Sequence, residues 1–596
     1  MSDFLKKLAW QEWVLLAAMV IVCFSQYSQI SQFSQVPSPI YGGDLYYHYG
    51  KVLDYYRGGS FFEESHIAGE YSSYPGFFHF LISSLSKFLG MQPFNVFIFF
   101  PLIITIASGI VFYILMFKIT NNKTAALLTA LLWMAIDIPS SHPTPFSAKV
   151  IIPLFLLSLI YASSWKTRIL AGVAYGLCGI THVTAFLGAS LIIILFFIYK
   201  IIEKEKKEHK INYSRRIKEQ IIAFLPIVVI GVLIAMLYWW APIFVYHGET
   251  PNNWQEYSSG SPLSISYLIT TFARYLFNTS GFLVFAISLI SLAGLYFSIK
   301  YNKKFSFFLI VLAAAIIGIL HPILTVPLLG TSFGFYRFPN ILLYPVSAMF
   351  FGVAVLLILN SLKAKKAKNL AAIIIGAVII INFFFVYDAY SNNQWTNAGK
   401  NQDAVSSIFI PFGKEIMAST GVNDVFIAPH EETAFALHSI TGGKVLFMRR
   451  THASPFVDIN KRVADGAVIL YGNDSSKINE LISEYGIKYF YVDAYAISSI
   501  IGCIKSWDAM DLPQNGEMSY SCLRTSSEYG EYLKKYGVQT KKVSARLNPA
   551  SDKAEKFDLL AIKPANFSEA FSKRLSEVKA IRDQANQTVV GWYRVN

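Results

Sequence analysis

Residues 370–388, LAAIIIGAVIIINFFFVYD, decide the fold of this chain. They carry one formally charged side chain, Asp388, and a helix needs about 20 apolar residues to cross the hydrocarbon core of a membrane. Ten similar segments precede this one, and the sequence becomes more polar after it. We therefore predict a polytopic α-helical membrane bundle of about 11 transmembrane helices, with spans at 13–33, 94–117, 124–138, 149–165, 168–182, 184–199, 221–242, 280–299, 305–323, 339–360 and 370–388.

The composition also indicates a membrane protein. Of the 596 residues, 54% are hydrophobic and 15% are charged, whereas soluble proteins average about 25% charged residues. The net charge of +14 is unevenly distributed, because residues 389–596 carry 24 basic and 22 acidic side chains. Most of the excess lies in residues 1–388, in short loops, and this pattern indicates membrane topology rather than a nucleic-acid partner.

Basic residues occupy every second loop between the predicted spans. The largest group is the eight basic residues of 200–218, and the opposite loops hold only scattered cations. The positive-inside rule then predicts a multi-pass protein of the cytoplasmic membrane, with a cytoplasmic N-terminus and an extracytoplasmic C-terminal region. Residues 14–24 are also short enough for the core of a signal peptide. No clean cleavage site follows them, so we interpret 25–35 as the outer end of the first helix.

Two predicted outer loops are long, 34–93 and 243–279. Within the first, residues 77–89 predict an amphipathic helix that lies at the membrane interface. Long loops in compact proteins are usually functional, although these two could merely cap the bundle. We predict a transmembrane domain at 1–388, which includes both loops, and an extracytoplasmic α/β domain at 389–596.

The C-terminal domain alternates between apolar runs and helical segments. This alternation predicts a mainly parallel sheet, with strands at 425–427, 445–447, 468–470, 489–492 and 559–562 and helices at 431–441 and 477–485. Its only cysteines, Cys503 and Cys522, could form a disulfide if the domain faces an oxidising compartment. The domain has no glycine-rich nucleotide motif, and no cysteine has metal-ligand spacing.

The candidates for chemistry lie at the predicted outer boundary of the bundle, and none of the predicted spans has an Asp, Glu, Lys or Arg at its middle. A transporter usually needs ionisable groups or broken helices near the midplane. An enzyme that acts on a lipid-linked substrate instead needs polar residues at the level of the headgroups. The outer residues that meet this need are Asp44, Tyr46, Tyr47, His48, Asp137, His142, Lys149, His182, His247, Arg274, His321 and Arg337.

These residues also have structural explanations that need no substrate. Asp44 could simply begin a helix, because carboxylates favour helix N-termini. The tyrosines could be interfacial aromatic residues. Loop caps, turns or snorkelling side chains would account for the remaining candidates, above all Asp137, His142, Lys149, His182, Arg274 and Arg337.

Three motifs, in this order, resemble those of the GT-C superfamily, membrane glycosyltransferases that use polyprenyl-phosphate-linked sugars. YGGDLYYH at 41–48 is similar to the acidic motif of their first outer loop. SYPGFFHFL at 73–81 is similar to the entry to the interfacial helix that follows, and FYRFPN at 335–340 to the late outer-loop arginine of oligosaccharyltransferases. The resemblance covers the whole chain loosely, and it implies the same bundle with a C-terminal outer domain.

The resemblance implies roles for two residues. Asp44 would be the catalytic carboxylate, and Arg337 would bind the departing phosphate, for which a planar guanidinium is well suited. Arg274 and Lys149 are further phosphate candidates by location. Substrate contacts are expected from Tyr46, Tyr47, His48, Asp137, His142 and His182, and the polar candidates of the C-terminal domain are Glu431, Glu432, Arg449, Arg450 and His452.

The sequence also departs from the family pattern. The WWDxG acceptor motif of oligosaccharyltransferases is absent, since residues 239–242 read WWAP, and Asp137 alone stands for the acidic pair of the second outer loop. The need for Mg²⁺ or Mn²⁺ therefore stays open.

We predict an integral membrane glycosyltransferase that moves a sugar from a polyprenyl-phosphate-linked donor to a lipid, glycan or protein acceptor on the extracytoplasmic face. The alternatives are an oligosaccharyltransferase-like transfer of a whole glycan to protein, a lipid-glycan transporter or flippase, and a non-catalytic assembly or receptor protein.

Overall fold

The computed structural model describes residues 9–41, 43–72, 74–203, 213–249, 251, 282–329, 337–449, 452–493, 508–509, 522–524, 529–546, 556–562 and 567–596. Most of these residues are helical up to residue 391, and strands appear only after residue 424, apart from isolated bridges. The helices are α1 (Trp10–Ile30), α2 (Asp44–Tyr56), α3 (Phe77–Leu89), α4 (Pro93–Thr120), α5 (Lys123–Ala135), α6 (Pro143–Ile160), α7 (Trp165–Thr181), α8 (Val183–Ile202), α9 (Tyr213–Val245), α10 (Phe282–Lys300), α11 (Asn302–Leu320), α12 (Pro322–Leu329), α13 (Pro339–Ser361), α14 (Lys365–Ser391), α15 (Gln394–Lys400), α16 (Ile410–Ser419), α17 (Glu431–Thr441), α18 (Ile459–Tyr471), α19 (Ser475–Glu484), α20 (Tyr529–Lys535) and α21 (Glu569–Ser572).

Each predicted span falls on a helix. Seven helices among the described residues are long and apolar enough to cross a membrane, namely α1, α4, α6, α8, α9, α13 and α14. The pair α10 and α11 meets at a bend of 114° and would add one span if counted together. The protein is therefore a multi-pass membrane protein. The number of 11 crossings stays a prediction, because α5 and α7 are shorter.

The chain divides into two compact units. Unit 1 contains Met1–Phe33, Phe97–Trp239 and Pro262–Asn397, and unit 2 contains Ser34–Val96, Trp240–Ser261 and Ala398–Asn596. In unit 1, α13 is the most buried of the long helices and packs closely on α10. Gly294 allows this approach, since an added Cβ would lie 1.8 Å from the carbonyl oxygen of Phe350. The domain boundary at 388 stays a prediction.

Unit 2 contains two sheets. The first has the strand order β2-β1-β3-β9-β8, formed by β1 (Val425–Ile427), β2 (Lys444–Val445), β3 (Ile487–Asp493), β8 (Leu575–Arg582) and β9 (Thr588–Val595). The second has the order β4-β6-β7-β5, formed by β4 (Asp508–Ala509), β5 (Cys522–Arg524), β6 (Thr540–Arg546) and β7 (Lys556–Ile562).

The α/β character of this region is confirmed, but two details of the prediction are wrong. Among the strands that the structure describes, β1–β2 and β1–β3 are parallel and the other pairings are antiparallel. The β8–β9 pair is a hairpin, and a short connection of this kind requires antiparallel strands. Residues 468–470, predicted as a strand, are fully buried in α18. A short apolar run of this kind does not distinguish a buried strand from a buried helix.

Helix α2, in unit 2, carries most of the predicted acidic motif. It begins with Asp44 and packs against α3 and α17. Gly50 is required for the second contact, because an added Cβ would lie 2.7 Å from the imidazole of His438 and 2.9 Å from its carbonyl oxygen. Gly442 ends α17 with φ +62 and lies against the backbone of α2 at Leu53 and Asp54. The two helices are thus fixed in one register.

We expect Gly50→Ala to lower the thermal unfolding midpoint of the protein. Overpacking a close contact costs about 1–3 kcal/mol, which exceeds the helix-propensity gain of up to about 1 kcal/mol from replacing glycine. The matched control is Gly376→Ala, in α14, where the added Cβ would meet Leu128 at an ordinary 3.7 Å. A midpoint for Gly50→Ala at or above that of the control would contradict the tight packing of α2 on α17.

Candidate active site

The loop before α2 is held by residues that lie far away in the sequence. The Tyr41 hydroxyl donates to Asp493 Oδ2 at 2.9 Å, and Thr433 donates to Asp493 Oδ1 at 2.8 Å. Asp493 is fully buried at the end of β3. Arg449 Nη2 donates to the carbonyl oxygen of Gly43 at 3.2 Å. These bonds fix the loop on both sides of residue 42.

Asp44 lies against His452. Asp44 Oδ1 and His452 Nε2 are 2.9 Å apart, and the side chains are 45% and 13% exposed, respectively. Burial and the neighbouring Arg449 guanidinium lower the pKa of His452 to about 4, although the Asp44 carboxylate acts in the opposite direction. His452 is therefore neutral at pH 7. Since an ionised carboxylate can only accept, Nε2 carries the hydrogen and donates it to Asp44.

The last three residues of the motif lie inside unit 2. Tyr46 is fully buried, and its hydroxyl donates to Gln35 Oε1 at 3.3 Å. His48 is buried and has its Nδ1 2.9 Å from His79 Nε2. Tyr47 is also buried, and its ring lies 5.0 Å from that of His452. Of the three, Tyr47 is thus the one that the structure brings to the Asp44–His452 pair. The roles of all three as substrate contacts stay predictions.

A buried ionic cluster anchors α2 two turns after Asp44. Lys51 Nζ and His66 Nδ1 lie 2.9 Å and 2.8 Å from the same oxygen of Glu64, and all three side chains have no exposed surface. Burial lowers the pKa of His66, while Glu64 opposes this effect. The ring of His438, on α17, lies 5.6 Å from that of His66. The cluster explains the presence of a lysine in α2, most of whose residues are buried, because Glu64 provides a partner for its charge.

In unit 1, Lys149 lies in a π-helical turn, Ser147–Ile151, within α6. Its ammonium donates to the carbonyl oxygens of Trp133 at 3.2 Å and Asp137 at 2.7 Å, and it lies 5.2 Å from the centre of the Trp133 ring. Lys149 is buried. Lys149 therefore contacts Asp137 through the main chain, and a phosphate would have to compete with these two carbonyls.

Two histidines of unit 1 cap helices. His142 Nδ1 accepts from the backbone N–H of Thr144 at 3.0 Å, and His182 Nδ1 accepts from that of Thr184 at 3.2 Å. His182 Nε2 lies 3.3 Å from the hydroxyl of Thr144. Both ring nitrogens of His182 are thus engaged. The structural explanation, a capped turn, fits both histidines, and their contact with substrate stays a prediction.

Arg337 lies just before a second π-helical turn, Pro339–Leu343. This turn packs against α6 and α8, and the charge of Arg337 acts on His182. The structure thus brings together Arg337, His142 and His182 within unit 1. Single π-helical turns occur frequently at functional sites, and the sequence analysis did not predict either of these two.

Some predictions lie outside the described residues. This is the case for Arg274 and for Cys503, so a disulfide between Cys503 and Cys522 stays a prediction. Cys23 and Cys178, which are described, are free thiols. Among the described residues, no group of three or more His, Cys, Asp or Glu side chains is placed to hold a metal ion.

Three residues that hold Asp44 and the loop before it are not singled out by the sequence. Arg449 and His452 were candidates only as parts of a separate polar set, and Asp493 was not identified. Asp493 follows the predicted strand at 489–492, and a carboxylate directly after a buried strand is a signal that could have found it. Nothing local in the sequence indicates that His452 contacts Asp44, because 408 residues separate them.

Solved structures with a similar fold include membrane glycosyltransferases. The arabinofuranosyltransferase AftD from Mycobacteria has a TM-score of 0.51, at 12% identity, over 99% of this chain and 40% of AftD. ArnT from Cupriavidus metallidurans in the apo state has a TM-score of 0.50, at 11% identity, over 92% of this chain and 98% of ArnT. The archaeal oligosaccharyltransferase AglB from Archaeoglobus fulgidus, in complex with an inhibitory peptide and a dolichol-phosphate, has a TM-score of 0.49, at 13% identity, over 81% of this chain and 70% of AglB.

The similarities to AftD and ArnT show the class of the fold. At such low identities they show the fold alone, and the protein is a multi-pass membrane protein with the GT-C fold that its motifs predicted. A sequence relative is the uncharacterized protein MJ1080 of Methanocaldococcus jannaschii, which is 27% identical over 119 residues, 20% of this chain and 88% of that protein. No protein-family model matches the sequence.

Proposed function

We propose that this protein is an integral membrane glycosyltransferase. It moves a sugar from a polyprenyl-phosphate-linked donor to a hydroxyl or amide group of a lipid, glycan or protein acceptor, on the extracytoplasmic side of the cytoplasmic membrane. The observation that carries the proposal is the half-exposed Asp44 carboxylate, oriented by His452 at the start of α2, in a chain with the fold of AftD and ArnT. The basic loops support the proposed sidedness.

In the proposed reaction, Asp44 and Arg337 each have one role. Asp44 accepts the proton of the acceptor group as the acceptor atom bonds to the anomeric carbon of the sugar. The bond between that carbon and the donor phosphate breaks, and the phosphate leaves with the bonding electrons. Arg337 stabilises the charge that develops on the departing phosphate. No step of this scheme is routed through a metal ion.

The transfer itself is tested with purified protein, radiolabelled polyprenyl-phosphate sugars and an extract of native membranes. We expect the label of one donor to move into the lipid, glycan or protein fraction, and that fraction identifies the acceptor class. A label that stays on every monophosphate donor, with folded protein, would contradict the proposal.

We expect Arg337→Ala to lower kcat/KM for the donor by about 10- to 100-fold, through both a higher donor KM and a lower kcat, because hydrogen bonds to charged groups contribute about 1.5–3 kcal/mol. The KM for the acceptor should stay nearly unchanged. Initial rates over both substrate concentrations measure these constants, and Arg215→Ala, at an exposed arginine of α9, is the matched control. An equal loss for donor and acceptor would contradict phosphate binding by Arg337.

A further inference from the structure

His452 is held in place independently of its contact with Asp44. Its imidazole contacts the rings of Tyr47 and Phe435, whose centres are 5.0 Å and 5.3 Å from that of His452. Phe435 in turn lies 3.5 Å from the guanidinium carbon of Arg449. The His452 ring can therefore keep one orientation while the loop before α2 accepts or releases substrate.

Arg449, which is close to His452 in the sequence, holds the backbone of the loop before α2. Arg449, three residues before His452, donates to the carbonyl oxygen of Gly43, directly before Asp44. The side chain of Asp44 and the carbonyl oxygen of Gly43 are thus bonded by His452 and Arg449, respectively. A substrate-facing carboxylate at the start of a helix gains its rate advantage from such fixed geometry, and a displacement of about 1 Å can cost about 100-fold in rate.

A neutral donor suits this task better than a cation. A cationic partner would favour the ionised carboxylate and weaken it as a base. A neutral imidazole N–H also fixes the orientation of the carboxylate, but it weakens the carboxylate as a base to a smaller extent. A proton acceptor that must be both oriented and basic therefore needs a neutral partner.

We propose that His452 is a positioning residue for Asp44, so that the C-terminal part of the chain completes the active site. The Nε2–H of His452 holds Oδ1 of Asp44 and directs the carboxylate toward the acceptor group. This inference rests on the proposed glycosyl transfer and adds to it a residue from a distant part of the chain.

The test compares three substitutions of His452. Glutamine carries an amide N–H as many bonds from Cβ as Nε2 of histidine, whereas the amide of asparagine is one bond shorter. We expect His452→Ala and His452→Asn to lower kcat by about 10- to 100-fold with the donor KM within about twofold. His452→Gln should retain kcat within about fivefold of the wild type, because the donated hydrogen bond is restored.

Two comparisons keep this inference separate from the proposed function. Thermal unfolding midpoints identify variants that merely fail to fold, and Asp583→Asn, at an exposed residue of the β8–β9 turn, is the control that should leave kcat unchanged. If the wild type transfers sugar and His452→Gln loses as much kcat as His452→Asn, positioning by Nε2 is overturned. If His452→Ala is fully active, the inference is also overturned while the proposed function stands. A wild type that transfers no sugar overturns the proposed function first.

Discussion

Replacing Asp44 by asparagine is expected to lower kcat by about 10²- to 10⁴-fold, the range that a general base contributes. Asparagine has nearly the same shape as aspartate, and its carbonyl oxygen can still accept the hydrogen bond from His452. It cannot take a proton from the acceptor. The substitution therefore removes the proposed chemistry and preserves the contacts of the loop, so the unfolding midpoint and donor binding should stay close to those of the wild type.

The matched control for this prediction is Asp583→Asn. Asp583 is exposed in the β8–β9 turn, where it accepts from the backbone N–H groups of Ala585 and Gln587, and asparagine can also accept there. Transfer by this variant should equal that of the wild type. Full activity of Asp44→Asn in the same assay would contradict the assigned role of Asp44.

Replacing Lys51 by methionine is expected to destabilise unit 2 by about 3–5 kcal/mol, the cost of leaving one charge of a buried pair without its partner. Lys51 and Glu64 have no exposed side-chain surface and lie 2.9 Å apart. Methionine fills most of the volume of lysine, so the main loss is electrostatic. The measurement is the unfolding midpoint of the full chain in detergent. Sugar transfer should fall with it, because α2 carries Asp44.

A second variant separates charge from packing. In Lys51→Met combined with Glu64→Leu both charges are absent, and we expect the midpoint to recover most of the loss, because replacing a whole buried pair by apolar residues is often neutral. Lys573→Met is the control, since its pair with Glu569 is exposed and should leave the midpoint unchanged. A single Lys51→Met variant as stable as this control would refute the anchoring role of the cluster.

The helices of unit 1 could be predicted because the apolar composition of each segment by itself indicates a membrane environment. A run such as 370–388 needs no partner to be recognised as a span, and α14 confirms it at Lys365–Ser391. The same holds for α3 and α17, whose bounds, Phe77–Leu89 and Glu431–Thr441, agree with the prediction. Predictions for short buried runs were less reliable. A run that is buried on all sides has no alternation of apolar and polar residues, so its sequence does not distinguish a strand such as β1 from a helical segment such as residues 468–470 of α18.

The candidate active site could be predicted only in part. Asp44 was identified because a carboxylate at the outer end of an apolar bundle is unusual and the surrounding motif resembles a known one. Its partner His452 could not be identified, since the contact depends on the packing of α2 against α17 and on the path of the chain after β2. Lys149 illustrates the opposite case. Its position at the predicted boundary indicated that it binds a phosphate group. In the structure, its ammonium instead donates hydrogen bonds to two main-chain carbonyls.

The central claim is that Asp44 serves sugar transfer from a polyprenyl monophosphate. The most direct measurement is the release of radiolabelled sugar from a panel of such donors by purified wild-type protein and by Asp44→Asn, in parallel and with native membrane extract as the source of acceptor. We predict release from one donor by the wild type and almost none by the variant. Equal release by both proteins, or no release from any donor by a folded wild type, would contradict the claim, and the second result would favour a diphosphate-linked glycan donor or a transporter.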